Sequence, residues 1–564
     1  MGRDPSYGAP NGVKSVGAYY TPPSVARALA AWALRRATDS VLDPAAGDGV
    51  FLSEASARLR ALGCRAPAVT GVELRADAAR EARARLASAG ADAGRVAVGD
   101  FLALDPARLP PVDAVVGNPP YVRFQRLDRS QRERAAAIAA AAGLRADPLA
   151  SSWAAFVLHA ERFLAPGGRL ALVLPSEIGH ARYARSVLDL LRQRFARATF
   201  VLFESALFPR LDQGALLLLA DGHGRAFEGF SVAHLASAAA LAGGLSSLPH
   251  RRLDAGALVC GAARLHHAWL PEPAAELFGA LRGSGRCSAL GVWAGVSTGY
   301  VTGANAFFQL TPGRARALEL APRHLRPALF RSRALRGLTV TEEDWRRGGE
   351  RGHSGYLLLP EDGDDPAVAA YLRTADDGVR GRAKIRRRRP WYRVGRATPP
   401  DLVLTAMCAV APRLAVNEAG AVVSNTLHAV RLAPSAAPGA ARLLALAALS
   451  SLAELSAEME GHALGGGMLK LEPSEALRLL LPLLSPPEPQ GRPASGHDLD
   501  RTFAAADAAL RANDREAARA AADRALLLDA AGLAPADVEA LRAGAARLRS
   551  LRRGPPGGTP PAAD

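Results

Sequence analysis

An α/β fold, with a mostly parallel sheet covered by helices on both faces, is what the chain predicts for its first 240 residues, and three observations predict it. From residue 41 to about 220, short apolar runs alternate with longer segments of helical period, the mark of successive strand–helix units. The first strand runs into a glycine turn, Asp43-Pro44-Ala45-Ala46-Gly47-Asp48-Gly49, and then into a helix, a junction at which backbone can approach a nucleotide closely. Polar residues able to hold a ligand stand at the ends of the next three strands, where open α/β sheets bind their ligands.

Taken in order, the strands are expected at Val41–Asp43, Val69–Glu73, Val96–Val98, Asp113–Gly117, Arg169–Leu174, Thr199–Phe203 and Ala215–Leu219. Helices are expected at Ser24–Arg36, with Ser24 as its cap after two prolines, and at Phe51–Leu62, Ala76–Ser88, Ser152–Leu164 and Ala181–Phe195. Residues 222–285 show no clear period and read as a connection, assigned as 241–285 between two domains. Residues 286–490 carry short β-like runs (Gly355–Leu359, Leu402–Thr405, Ala421–Val423) and form a second, mixed α/β domain. Ser485–Pro493 reads as a linker, 491–552 as an amphipathic helical segment burying Leu510, Ala517, Leu526 and Leu541, and 553–564 as a disordered tail.

The 564 residues are 49% hydrophobic and 22% charged, a globular composition long enough for several domains. No run of eighteen apolar residues occurs, so no membrane span is expected. The N-terminus lacks an apolar signal region, and Cys64, Cys260, Cys287 and Cys408 show no paired spacing; a cytoplasmic protein without disulfides or a metal site is expected. The net charge of +16 points to a polyanionic partner. Only three of the 70 basic residues are lysine (Lys14, Lys384, Lys470), so the placement of arginine carries more weight than the total.

The ligand-binding edge can be read strand by strand. Glu73, followed by Leu74, can accept the hydroxyls of a ribose. Asp100 can accept from an adenine amine, with Phe101 packing on its ring. The fourth strand ends in Asn118-Pro119-Pro120-Tyr121. An exocyclic aromatic amine is a poor nucleophile, because its lone pair is delocalised into the ring. The Asn118 side-chain oxygen and the Pro119 carbonyl can each accept one of its hydrogens and direct the freed lone pair at an electrophile. Pro119 and Pro120 stiffen the loop through their fixed φ. Tyr121 offers a face for stacking the base, worth about 1–3 kcal/mol.

On these motifs the chain resembles the S-adenosylmethionine-dependent DNA adenine-N6 methyltransferases of bacterial restriction–modification systems, in the motif order of the gamma class. The resemblance implies a Rossmann-like methyltransferase sheet over residues 1–240, a DNA target-recognition domain over 286–490, and S-adenosyl-L-methionine as cofactor. It assigns Tyr20, Thr21 and Pro22 to the N-terminal cofactor motif, with Thr21 near the methionine carboxylate. Asp43, Pro44, Ala45, Gly47 and Gly49 fall under the methionine part, Glu73 and Leu74 at the ribose, and Asp100 and Phe101 at the adenine. Asn118, Pro119, Pro120 and Tyr121 form the catalytic tetrapeptide, and Phe208 stacks on the other face of the flipped base. Ala46 stands where many relatives carry cysteine.

The mechanism this implies is direct transfer, without a covalent intermediate or a metal, to an adenine flipped from duplex DNA. His159 and His180 have no part in it. DNA contacts are expected from Arg123 and from the stretch Arg380–Arg396, which has nine basic and no acidic residues and includes Arg386, Arg387, Arg388, Arg389, Trp391 and Tyr392. Asn417 and Asn425 stand in recognition-type segments, as does Gly465–Met468. The residues two before each lysine are Gly12, Arg382 and Met468, which excludes a fused nuclease of the PD-(D/E)xK type and leaves a separately encoded restriction endonuclease as a partner. A protein-glutamine or RNA methyltransferase and a non-catalytic DNA-specificity subunit are the alternatives.

Overall fold

A proline pair, rather than a serine, starts the first helix. The computed structural model describes residues 21–143, 151–179, 181, 183–205, 207–208, 214–246, 248–360, 365–395, 397–464, 467–483 and 496–553. Helix α1 (Pro23–Ala33) has Pro22 at its cap and Pro23 at its first position, where the missing N–H is harmless and the fixed φ is already helical. Ser24 therefore lies inside the helix and makes no capping bond, which corrects the expected start. Val25, Ala26, Leu29, Ala30 and Ala33 are buried, at about 1.5–3 kcal/mol for each large side chain.

The remaining elements of the first unit follow in alternation. They are β1 (Val41–Asp43), α2 (Val50–Ala61), β2 (Val69–Glu73), α3 (Ala76–Ser88), β3 (Val96–Val98), β4 (Val112–Gly117), α4 (Arg129–Ala141), α5 (Ser152–Ala160), β5 (Leu164–Pro175), α6 (Ala184–Arg194), β6 (Arg197–Phe203), β7 (Ala215–Asp221), β8 (Gly229–Leu235), β9 (His250–Asp254) and α7 (Ala255–Cys260). The nine strands form one sheet in the order β3-β2-β1-β4-β5-β7-β6-β8-β9. β3, β2, β1, β4 and β5 run parallel, while β7 is inserted antiparallel between β5 and β6. The direction of winding reverses between β1 and β4, and such a switch point opens a crevice at the carboxyl ends of the strands.

Two corrections concern the edges of this unit. Residues 222–285 are not a bare connection, since β8 pairs with β6 and β9 pairs with β8, carrying the sheet past residue 240. The expected helix Ser152–Leu164 ends at Ala160, passes through a 3₁₀ turn and gives way to β5 at Leu164.

The described residues separate into two units, 21–268 and 269–553. The second holds a five-stranded sheet (Ala294–Thr298, Leu427–Leu432, Leu402–Thr405, Leu414–Asn417, Thr339–Val340) and a four-stranded one (Gln309–Leu310, Ser354–Leu358, Leu325–Leu329, Val422–Val423). Helices Gly496–Arg511, Arg515–Ala522 and Pro535–Arg553 close it. Phe503, Leu510 and Leu526 share a core with strand residues Leu402, Leu404 and Val430, and Leu541 shares another with Leu270 and Phe278, so these helices are integral to the unit. Ala517 is exposed and Ala518 is buried in its place, because the Asp514 side chain caps the Ala517 N–H and sets the phase of the helix. Among the described residues no single helix is long and apolar enough to cross a membrane. The Ser485–Pro493 linker and the tail beyond Arg553 lie outside the described residues.

Candidate active site

A cavity of about 240 Å³ opens at the carboxyl ends of β1, β2, β3 and β4. Its wall takes Pro44, Ala45 and Gly47 from the turn after β1, Glu73 and Leu74 from the end of β2, Asp100 and Phe101 after β3, and Asn118 and Pro120 after β4. Thr21, at the entry to α1, completes it. The turn is shaped by close approach: at Gly49, with φ of +81°, a Cβ would sit 2.8 Å from the Ala82 Cα of α3. Gly49 thus lets α2 start against α3 and does not itself border the cavity.

The acids are tied to the backbone around them. Glu73 accepts from the Gly47 N–H at 2.9 Å and from the Arg75 N–H at 2.9 Å, locking the glycine turn to the end of β2. Asp100 accepts from the Leu102 N–H at 3.0 Å and pairs with Arg134 of α4 at 2.8 Å. Each carboxylate oxygen keeps a second lone pair for a ligand. Phe101 is only 2% exposed, and its ring packs on Phe156, His159 and Phe163. From within that cluster it forms part of the cavity wall, and the exposed Leu74 adds a further apolar side chain there. Burial pulls the His159 imidazole down from its ordinary value.

Asp43 lies beneath the cavity. It is fully buried, its Oδ1 accepts from the Ala45 N–H at 3.0 Å, and its Oδ2 has no partner. Burial, with the charges of Glu73 and Asp48 acting the same way, pushes its carboxyl up to about 8. A Cβ at Gly117 would meet Asp43 Oδ1 at 2.7 Å, so glycine there lets the end of β4 sit on this carboxyl.

The Asn-Pro-Pro-Tyr turn is stitched on both sides. The Asn118 Nδ2 donates to Thr21 Oγ1 at 3.2 Å, which leaves Asn118 Oδ1 buried and without a partner among the described residues. The Ser152 hydroxyl donates to the Pro120 carbonyl and accepts from the Val122 N–H at 3.0 Å. The Tyr121 hydroxyl donates to the Val173 carbonyl of β5 at 3.2 Å, which fixes the plane of its ring beside the turn. Asn118 and Pro120 line the cavity, whereas Pro119 and Tyr121 are not among its lining residues. Phe208 is 8% exposed and packed in the core of the sheet, so the stacking role expected for it does not fit its position. Pro22 serves as the cap of α1, and Tyr20 lies outside the described residues, as do Gly17–Tyr19, His180, Gly465 and Gly466.

Sequence reasoning missed the far wall of the cavity, made by Arg126, Leu127, Gln131, Ser152 and Phe156. One signal was present: Asp128 and Gln131 form a capping box that starts α4 and turns Gln131 toward the cavity.

In the second unit the basic stretch divides into structural and exposed residues. Arg388 donates to the Val301 carbonyl at 2.9 Å, and burial draws its guanidinium down. Arg389 donates to the Arg386 and Arg388 carbonyls. Trp391 packs on Phe307 and Phe308, with the Arg380 guanidinium 4.9 Å above its ring, while Tyr392 meets it edge-on. Arg386, Arg387 and Arg393 are exposed, as is Arg123 in the first unit. Asn417 uses its amide fully, on the Pro400 and Ala421 carbonyls and the Ala421 N–H; it holds a turn and is not a base reader. Asn425 is exposed and meets the Asn305 amide at 3.4 Å.

A sheet with a reversed seventh strand, a glycine turn and an Asn-Pro-Pro-Tyr loop at its switch point defines a methyltransferase of the Rossmann-like class. The N-6 DNA methylase family matches residues 6–182, and the C-terminal domain family of the type II methyltransferase M.Eco57I matches residues 263–527. The type II methyltransferase M.XamI of Xanthomonas campestris pv. amaranthicola is 26% identical over 492 residues, which cover 83% of this chain and 85% of the relative. The type IIL restriction–modification enzyme MmeI, solved in complex with DNA, shares the fold with a TM-score of 0.51 at 13% identity, over 93% of this chain and 73% of MmeI. The type IIG restriction endonuclease BpuSI aligns at 14% identity with a TM-score of 0.44, over 95% of this chain, which spans 66% of the BpuSI length. Together these matches mark the chain as an adenine-specific DNA methyltransferase of the restriction–modification type.

Proposed function

We propose that the cavity holds S-adenosyl-L-methionine and that the chain, a gamma-class enzyme, methylates N6 of an adenine swung out of duplex DNA. The residues present fit such a cofactor: two acids at successive strand ends, a glycine turn with close backbone, and an apolar rim at Leu74. When bound, the cofactor supplies an activated methyl group on a cationic sulfur. The protein supplies position, which accounts for about 7–11 kcal/mol of such a barrier.

The single observation that carries this reading is Asn118. Leaving a buried acceptor unpaired costs about 1–3 kcal/mol, so the unpaired Oδ1 at the cavity wall is best explained as waiting for a donor. An adenine amine is such a donor, and the Pro119 carbonyl beside it can take the second hydrogen. Tyr121, its hydroxyl anchored on Val173, offers the stacking face. In the second unit, Arg386, Arg387 and Arg393 suit phosphates, while Asn425 with Asn305 suits base edges. The compartment fitting this substrate is the cytoplasm, and a separately encoded restriction endonuclease is the natural companion.

The test is methyl counting. Purified protein given labelled S-adenosylmethionine is expected to label plasmid DNA, and to leave RNA and a total protein extract unlabelled. Label in protein or RNA with none in DNA would contradict the reading.

A further inference from the structure

An amide side chain has two ends of opposite character, and capture of an amine requires the carbonyl end. We propose that Thr21 is a positioning residue that sets which end Asn118 presents. This inference rests on the reading of Asn118 as the acceptor for the target amine.

The geometry is compact. Thr21 is 6% exposed and sits on the cavity wall, held by the start of α1, where the Val25 N–H bonds to the Pro22 carbonyl at 3.0 Å. Its Oγ1 accepts from Asn118 Nδ2 at 3.2 Å, across 97 residues of sequence. With Nδ2 so engaged, the only free end of the amide is Oδ1, which is buried at the cavity wall and unpaired among the described residues. Turned over, the same amide would present two N–H donors to an amine that is itself a donor, and capture would fail. Among the described residues, no other side chain bonds to Asn118. A threonine hydroxyl can donate or accept; here Oγ1 accepts, and by holding Nδ2 it leaves Oδ1 as the end presented to the amine. The sequence-based assignment of Thr21 to the cofactor is thereby extended: the same residue borders the cavity and holds the Asn118 amide.

The test compares Thr21→Val, which keeps the shape and removes the lone pairs, with Thr21→Ser, which restores them. Three quantities are read: the single-turnover methylation rate at saturating cofactor and DNA, S-adenosylhomocysteine affinity by calorimetry, and fluorescence of 2-aminopurine placed at the mapped target adenine. Thr21→Val is expected to lose about tenfold in rate, the scale of one neutral hydrogen bond, with a weaker 2-aminopurine signal. The rate loss persists at saturating cofactor whatever happens to cofactor affinity at this wall residue, and Thr21→Ser recovers the rate. If Thr21→Val does not fold, Thr21→Ala takes its place with the same expectations. A wild-type rate in the variant, or a loss expressed wholly as weaker cofactor binding, overturns the inference. If the wild-type protein transfers no methyl group to DNA, the underlying reading of the site fails instead.

Discussion

At the carboxyl edge of the nine-stranded sheet, Asn118 Oδ1 and Asp43 Oδ2 are buried with no hydrogen-bond partner among the described residues. Along the buried helix Ser451–Glu460 of the second unit, by contrast, each glutamate is met by arginine. Glu454 pairs with Arg519 at 3.0 Å and with Arg549, Glu458 with Arg552 at 2.7 Å, and Glu460 with Arg282 at 2.6 Å and Arg478 at 2.7 Å. The two regions bury comparable polar groups and treat them oppositely. Satisfied groups hold a fold together; unsatisfied ones store the cost that a ligand relieves. The buried glutamates of the second unit therefore read as architecture, and the unpaired Asn118 and Asp43 oxygens at the sheet edge as a site.

Substitutions in the two regions should behave differently. The largest effect on stability is expected from Glu454→Ala, which removes the buried carboxylate shared by Arg519 and Arg549. Removing one partner of a buried pair costs about 3–5 kcal/mol, and denaturant unfolding should show a loss of that size while the cofactor affinity of protein that remains folded is unchanged. Asn417→Ala comes next. It removes three hydrogen bonds around the Ala421 turn and should cost about 1–3 kcal/mol in the same assay, without changing the methylated sequence.

At the sheet edge the effect is one of pH. Asp43 keeps its proton in the folded state up to about 8, whereas the unfolded chain releases it near the ordinary carboxylate value of about 4. In that window the native state binds the extra proton, so this group makes stability fall as pH rises, and the fall levels off above about 8. Asp43→Asn should flatten that part of the stability profile, as read from denaturation midpoints across the window. The smallest expected change belongs to the surface. Arg386→Ala with Arg387→Ala should lower the slope of log affinity for DNA against log salt by about 0.9 for every phosphate that these arginines neutralise, with the target sequence unchanged.

The same contrast bears on what the sequence could reveal. Strands β1, β2 and β4 to β7 were legible because strands largely buried in a covered sheet leave apolar runs between helices, and β3 because its Val-Ala-Val run is apolar although it lies at the edge. β9 was not, because it is an edge strand whose His250, Arg252 and Asp254 are exposed, so it carries no apolar signature. In the second unit most strands span two to five residues, too short for a period to show. Asn118, Glu73 and Asp100 were legible as a series because each ends a strand. The partners that orient them, Thr21, Arg134 and Ser152, come from segments far along the chain that only folding brings together. Asn417 and Phe208 were misread for one reason: a motif gives residue type and order, and it does not show whether a side chain is already spent on the fold.

The proposed chemistry turns on Asn118 accepting the amine of a flipped adenine beside the cavity. Nucleoside mass spectrometry decides the matter, applied to plasmid DNA treated with S-adenosylmethionine and either wild-type protein or Asn118→Ala, with melting curves confirming that the two fold alike. N6-methyladenine is expected with the wild type, and a loss of at least about a hundredfold in the variant, with DNA affinity kept. Methylation of another base by the wild type, or undiminished N6-methyladenine with Asn118→Ala, would contradict that role.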